Sequence, residues 1–142
     1  DLVMAPHVFL GCFLNAAAVV SKALQTARTG NFDILVVCAG REEKFAIDDA
    51  YCAGYLVSQI MASLSSDCDF ALGDGGQAAL GIYGYYRDTR KLLEMSGAGR
   101  AVIEIGLEDD LNFLMQRDLF HVVPELIKKD FPEPEHGFSL LA

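Results

Sequence analysis

An α/β fold, layered α/β/α around a small central sheet, is what this sequence predicts, and three observations lead there. Asp33-Ile34-Leu35-Val36-Val37-Cys38-Ala39-Gly40 is a continuous apolar run closed by glycine, the pattern of a strand covered on both faces. His7-Val8-Phe9-Leu10-Gly11 is a shorter run of the same kind. Each is followed by helix-forming sequence, and strand–helix–strand–helix order implies packed layers with neighbouring strands.

Taken in order, His7–Gly11 reads as a buried strand. The Ala-rich stretch from Asn15 to Arg28 reads as a helix, stopped by Thr29-Gly30-Asn31. Asp33–Gly40 is the clearest strand, followed by the charged loop Arg41-Glu42-Glu43-Lys44. Asp48 opens a second helix through about Leu64, with Ile47, Tyr51, Tyr55 and Ser58 on one stripe. Ser65 to Asp69 is polar punctuation. Asp74 or Gly75 begins a third helix, Gln77 to about Glu94, with a break near Arg87-Asp88. Ser96-Gly97-Ala98-Gly99 interrupts it, and Arg100 to Ile105 forms a short turn or helix closed by Gly106. Glu108 to Arg117 reads as another helix. His121-Val122-Val123-Pro124 is a short edge segment, since proline removes a ladder donor. Two or three strands make a thin sheet, so further strands from elsewhere in a longer chain are expected to complete it. One domain is expected over 1–130, with a Pro-containing tail over 131–142.

The chain of 142 residues is 52% hydrophobic, enough for a core that buries roughly 70% of the unfolded surface. Its 11 Lys and Arg against 20 Asp and Glu give a net charge of −9. That balance argues against non-specific nucleic-acid binding and against attraction to an anionic membrane. An anionic substrate then needs a local device: a metal, an arginine or a helix N-terminus. Cys12, Cys38, Cys52 and Cys68 form no C-x-x-C pair, and no apolar run is long enough to span a bilayer. Reduced thiols in a soluble, cytoplasmic protein are the expectation. The chain begins with Asp1, which fits a processed terminus or a break in a longer chain.

Three places can carry chemistry. Gly11-Cys12-Phe13-Leu14-Asn15 and Cys38-Ala39-Gly40-Arg41 lie at the carboxyl ends of the two expected strands, where ligands of open α/β sheets bind. Ordinary turn chemistry explains the same residues. Asp48-Asp49 stands at a helix start, where acids cap the helix or complement its dipole. Two carboxylates also suit Mg²⁺, but adjacent helical residues point about 100° apart, so one ligand and one cap is the economical division. Glu108-Asp109-Asp110 is an acidic first turn, and His7, His121 and His136 show no paired spacing. Gly73-Asp74-Gly75-Gly76 lacks the Lys-Ser/Thr of a phosphate loop.

At these residues the chain resembles a known family. Gly11-Cys12-Phe13-Leu14-Asn15-Ala16 is similar to a segment usually written G-S-F-L-N-A. Val37-Cys38-Ala39-Gly40, Phe45-Ala46-Ile47-Asp48-Asp49 and Ala53-Gly54 are similar to V-C-A-G, F-x-L-E-D and A-G. Ser96 to Arg100, Gly106 and Asp110 resemble a later S-x-x-G…G…D pattern, and Val122-Val123-Pro124 a closing segment. In one register from about Val8 to Pro124, these resemble the 2-phosphosulfolactate phosphatases of coenzyme M biosynthesis. Cys12 stands where the family pattern has Ser, and Asp48 where it has Glu. The family's N-terminal portion, with I-D-V-L-R-A-T-like and T-N-G-T-like segments, has no counterpart here.

The resemblance implies Mg²⁺-dependent hydrolysis of 2-phosphosulfolactate to sulfolactate and phosphate. It implies Asp49 as the first candidate for metal or water positioning and Asp48 as the second. Arg41 and Arg100 pair with anionic groups, while Asn15 and the Gly40 backbone line the site. The expected partners are a small anionic phosphate ester and either the missing N-terminal portion or further copies of the chain. The alternatives are another small phosphorylated acid as substrate, or a homologue that keeps the fold as a binding domain without catalysis.

Overall fold

The computed structural model describes residues 5–65 and 70–126. Among these there is no strand and no sheet, so the expected layered α/β/α architecture gives way to helices joined by extended segments. The elements are α1 (Ala16–Gly30), α2 (Ile47–Ala62), α3 (Asp74–Tyr85), α4 (Thr89–Met95), α5 (Gly97–Glu104) and α6 (Asp110–Leu114), with a 3₁₀ turn over Phe13–Asn15 before α1. The expected tail over 131–142 lies outside the described residues.

The two expected strands fail for one reason. A strand needs a neighbour for its backbone groups, and apolar sequence does not supply one. His7–Gly11 finds only a single antiparallel bridge, Phe9 to Glu125. Leu10 N–H donates to Pro124 O at 2.9 Å, and Leu126 N–H to Val8 O at 2.9 Å. Asp33–Gly40 pairs with no segment among the described residues. The two runs are therefore not neighbouring buried strands. The rest of the described chain is mainly helical, and helices satisfy their own backbone groups internally.

α1 and α2 follow their sequences closely, whereas α5 begins within the expected interruption at Gly97 and α6 is shorter than the expected Glu108–Arg117. α1 buries Ala16, Val19, Val20 and Leu24 on one stripe. It ends where Asn31 takes the left-handed conformation, φ 53°, and returns its N–H to Ala27 O. α2 buries Ala50, Tyr51, Ala53, Gly54, Tyr55, Leu56 and Val57, almost its full circumference. It is the central helix, packed against both α1 and α3. Tyr85 ends α3 and Thr89 starts α4, the break expected near Arg87-Asp88. Asp88 makes that break durable by accepting Lys91 N–H at 3.1 Å, a side-chain cap on α4.

Gly54 sets the approach of α2 to α3. A Cβ there would lie 2.1 Å from Ala79 O, so the crossing tolerates only hydrogen. Above it Phe13, Tyr51, Tyr55 and Tyr83 stack in tilted and edge-on pairs, with centroids 5.2 to 5.8 Å apart. The Arg117 guanidinium covers Tyr55 at 4.3 Å from the ring centroid. Cys52 lies against the same core.

Two outcomes test this packing. Gly54→Ala should lower stability by about 1–3 kcal/mol through overpacking. Gly81→Ala, on the open face of α3 with nothing within 4 Å, should raise it by roughly 0.5–1 kcal/mol through helix propensity. Urea midpoints of the two variants should thus move in opposite directions. Burial, followed by nearby Cys12, Asp49 and Cys38, pushes the Cys52 thiol up from its ordinary 9.0 to about 12. The unfolded chain then loses this proton first. The stabilisation by the neutral thiol is complete below about pH 9 and is lost as pH rises towards about 12. Between these limits, urea midpoints should fall more steeply in the parent than in Cys52→Ala.

Candidate functional site

The first turn of α2 faces the loop that precedes it. Gly40 adopts φ 73°, and a Cβ there would meet Lys44 O at 2.9 Å. Glycine is therefore required by both conformation and space. Arg41 N–H donates to Lys44 O at 3.0 Å, and Lys44 N–H to Arg41 O at 2.9 Å. Between them Glu42 (φ 52°) and Glu43 (φ 61°) both lie in the left-handed region. This is the geometry of a two-residue primed turn, usually filled by Asn-Gly. Two glutamates there hold the turn at a cost of roughly 1–2 kcal/mol each. The surroundings maintain it: Asp49 Oδ2 accepts Gly40 N–H at 2.6 Å, and the Arg41 guanidinium donates to Gly97 O at the start of α5.

That tether closes one side of a cavity of about 620 Å³. Its walls are the turn (Arg41, Glu42, Lys44), the entry to α2 (Phe45, Ala46, Ile47, Asp48) and the α4–α5 junction (Met95, Ser96, Gly97, Ala98, Arg100). The N-termini of α2 and α5 both open onto it. Ser96 shapes the second of these: it is 1% exposed, donates to Leu93 O and accepts Gly99 N–H, each at 2.9 Å. Gly99 is indispensable there, since a Cβ would lie 1.8 Å from Leu93 O. Arg41, Lys44 and Arg100 outnumber Glu42 and Asp48 around the cavity, so a locally positive site sits within a chain of net charge −9. Such a site suits an oxyanion.

Asp48 is the unsettled group in this wall. Its Oδ1 is buried and has no hydrogen-bond partner among the described residues. A buried carboxylate oxygen left bare costs about 1–3 kcal/mol or more, and a cation is the natural remedy. No group of three or more His, Cys, Asp and Glu side chains among the described residues is arranged to hold a metal. Mg²⁺ does not need such a cage, because it commonly binds through one or two carboxylates, with waters and phosphate oxygens as the other ligands. Asp48 fits that role as one protein ligand.

The structure thus brings together Asp48, Arg41 and Arg100 in one cavity, with Gly40 and Asp49 forming the contact that anchors its loop. Asn15 lies elsewhere. Its amide is buried and fully engaged: Oδ1 accepts Cys12 N–H at 2.9 Å, and Nδ2 donates to Leu10 O and Val122 O, each at 3.0 Å. It ties the first segment to the last. Lys44, Ser96, Gly97 and Ala98 also line the cavity without having been expected to. Two signals pointed to them: cations flanking a Glu-Glu turn, and a Ser placed to cap the helix that begins at Gly97. A second cavity, about 530 Å³, lies between α1 and α2, with Arg28 as its one charged lining residue.

Comparison with known proteins gives the family of the chain. The family described as 2-phosphosulpholactate phosphatase matches residues 1–129. A relative from Deinococcus radiodurans, named "Probable 2-phosphosulfolactate phosphatase", is 32% identical over 126 residues, 89% of this chain and 50% of its own. Relatives of the same name from Caldicellulosiruptor saccharolyticus and Thermotoga maritima are 32% and 31% identical over 85% and 93% of this chain, and 50% and 56% of theirs. The chain spans about half the length of the curated relatives it matches. On the match over residues 1–129, it belongs to the 2-phosphosulfolactate phosphatase family.

Proposed function

We propose that this chain carries the anion-binding part of a phosphatase that hydrolyses 2-phosphosulfolactate, or a small phosphorylated acid like it, with Mg²⁺. The observation that carries the reading is that Asp48, whose buried Oδ1 has no hydrogen-bond partner among the described residues, lines a cavity together with Arg41, Lys44, Arg100 and two helix N-termini.

The roles follow from the contacts. Arg41 and Arg100 each spend one guanidinium nitrogen on a backbone carbonyl, Gly97 O and Met95 O. That fixes each side chain and leaves further donors for a phosphoryl, carboxylate or sulfonate group. The free N–H groups at the starts of α2 and α5 add donors without adding flexible charge. Asp48 is the residue that would hold Mg²⁺ as a protein ligand. The ion, when bound, supplies charge neutralisation on the phosphoryl group and orients water. Asp49 acts through the backbone: its carboxylate holds Gly40, and Gly40 sets the turn that delivers Arg41.

Phosphate release by the full family-length protein tests these assignments. EDTA should abolish turnover of 2-phosphosulfolactate and added Mg²⁺ should restore it. Turnover that survives thorough chelation removes the ion from the reading, and silence across a panel of small phosphomonoesters favours a binding domain without catalysis. Asp48→Asn should lower kcat by about 10²–10³, the scale of one lost electrostatic contact to the reacting group, with little change in melting temperature. Asp49→Asn keeps an acceptor for Gly40 N–H and should mainly raise KM, while Asp49→Ala should raise KM further and lower the melting temperature. A larger kcat loss in Asp49→Asn than in Asp48→Asn would reverse the two roles.

A further inference from the structure

The apolar run that stands out most in the sequence is largely open to solvent. Leu35 is 82% exposed and Val37 53%, and Phe32 and Ile34 before them are also open to solvent. Val36 alone in the run turns inward to the core. From Asp33 to Ala39, no backbone N–H or C=O has a hydrogen-bond partner among the described residues. Beside this segment lies the bridged pair around Phe9 and Glu125, which leaves Leu10 and Val122 exposed. Phe9, Val36 and Val123 rest on the same core cluster, and the His7 ring lies 6.1 Å from the Phe32 ring. On the segments that share this core cluster, Leu35, Val37, Leu10 and Val122 make up the solvent-facing apolar side. Contiguous apolar surface rimmed by polar residues marks a protein–protein contact.

We infer that this face is an interface, and that its occupant is the portion of the family's length which this chain does not span. Two observations select that occupant. The matched 126 residues are 50% of the Deinococcus radiodurans relative and the matched 125 are 49% of a Clostridium kluyveri relative, so a comparable length of polypeptide lies outside the match. A second copy is the poorer candidate, because it brings together two chains of net charge −9. The run from Ile34 to Val37 carries no charge of its own to offset that repulsion. The interface does not depend on the phosphatase reading.

Co-expression of this chain with a polypeptide covering the unmatched half of the Deinococcus radiodurans relative provides the test. A one-to-one complex is expected by light scattering. Amide exchange from Ile34 to Cys38 should slow by roughly tenfold or more relative to the chain alone. The double variant Leu35→Glu, Val37→Glu should reduce recovered partner by roughly tenfold or more. Tyr85→Glu, similarly exposed at the end of α3, should leave recovery unchanged. Failure to co-purify, unchanged exchange, or equal loss in the Tyr85→Glu control overturns the inference. A chain-alone homodimer that the double variant dissociates also overturns it, in favour of a second copy. Loss of far-UV helical signal in the double variant overturns the exposed placement of residues 35 and 37, and the interface with it.

Discussion

The close approach of α2 to α3 at Gly54 is the constraint on which the rest of the molecule depends. With the Ala79 carbonyl where a side chain would otherwise be, α2 sits deep enough to be buried on nearly every side. Phe13, Tyr55 and Tyr83 then close over it as an aromatic cluster, and α1 lays its Val19–Val20–Leu24 stripe against the same core. A helix held this firmly presents its N-terminus at a fixed point. The cavity is built there.

An acidic chain that handles an acidic ligand has to concentrate positive potential, and this one does so with little net charge. Three cations, two helix N-termini and a turn that keeps its cations together act over a few ångströms, where pairing is strong. The remaining surface stays acidic, which favours solubility and disfavours self-association. The strain in the Glu42–Glu43 turn belongs to the same arrangement. It persists because Asp49 and Gly97 hold the turn from either side, as strained backbone at functional sites generally requires.

A few polar side chains tie the segments of the chain together. Asn15 satisfies three backbone groups from Leu10, Cys12 and Val122 at once. Asp118 accepts the Ala17 N–H at the start of α1. Arg90 reaches Glu94 and Asn112, linking α4 to α6. These contacts join segments that are distant in sequence, with no sheet among the described residues to organise them.

Helices were legible in the sequence because each one carries its own bonding and its own signals: the Ala-rich run before Gly30-Asn31, the stripe through Tyr51 and Tyr55, the stop before Asp88. The polar rim was legible in part for the same local reason, since Gly40-Arg41, Asp48-Asp49 and Ser96–Arg100 are turn and cap residues whose chemistry is written in short stretches. What the tertiary structure alone decided is non-local. Asp33–Gly40 has the composition of a buried strand, but a strand exists only if another segment meets its backbone, and among the described residues none does. Asp48 and Asp49 are adjacent carboxylates in the same helical turn. Only the position of Gly40 and of the cavity wall occupies one of them and leaves an oxygen of the other bare, because a helix sends neighbouring side chains in different directions and the surroundings determine what each one meets.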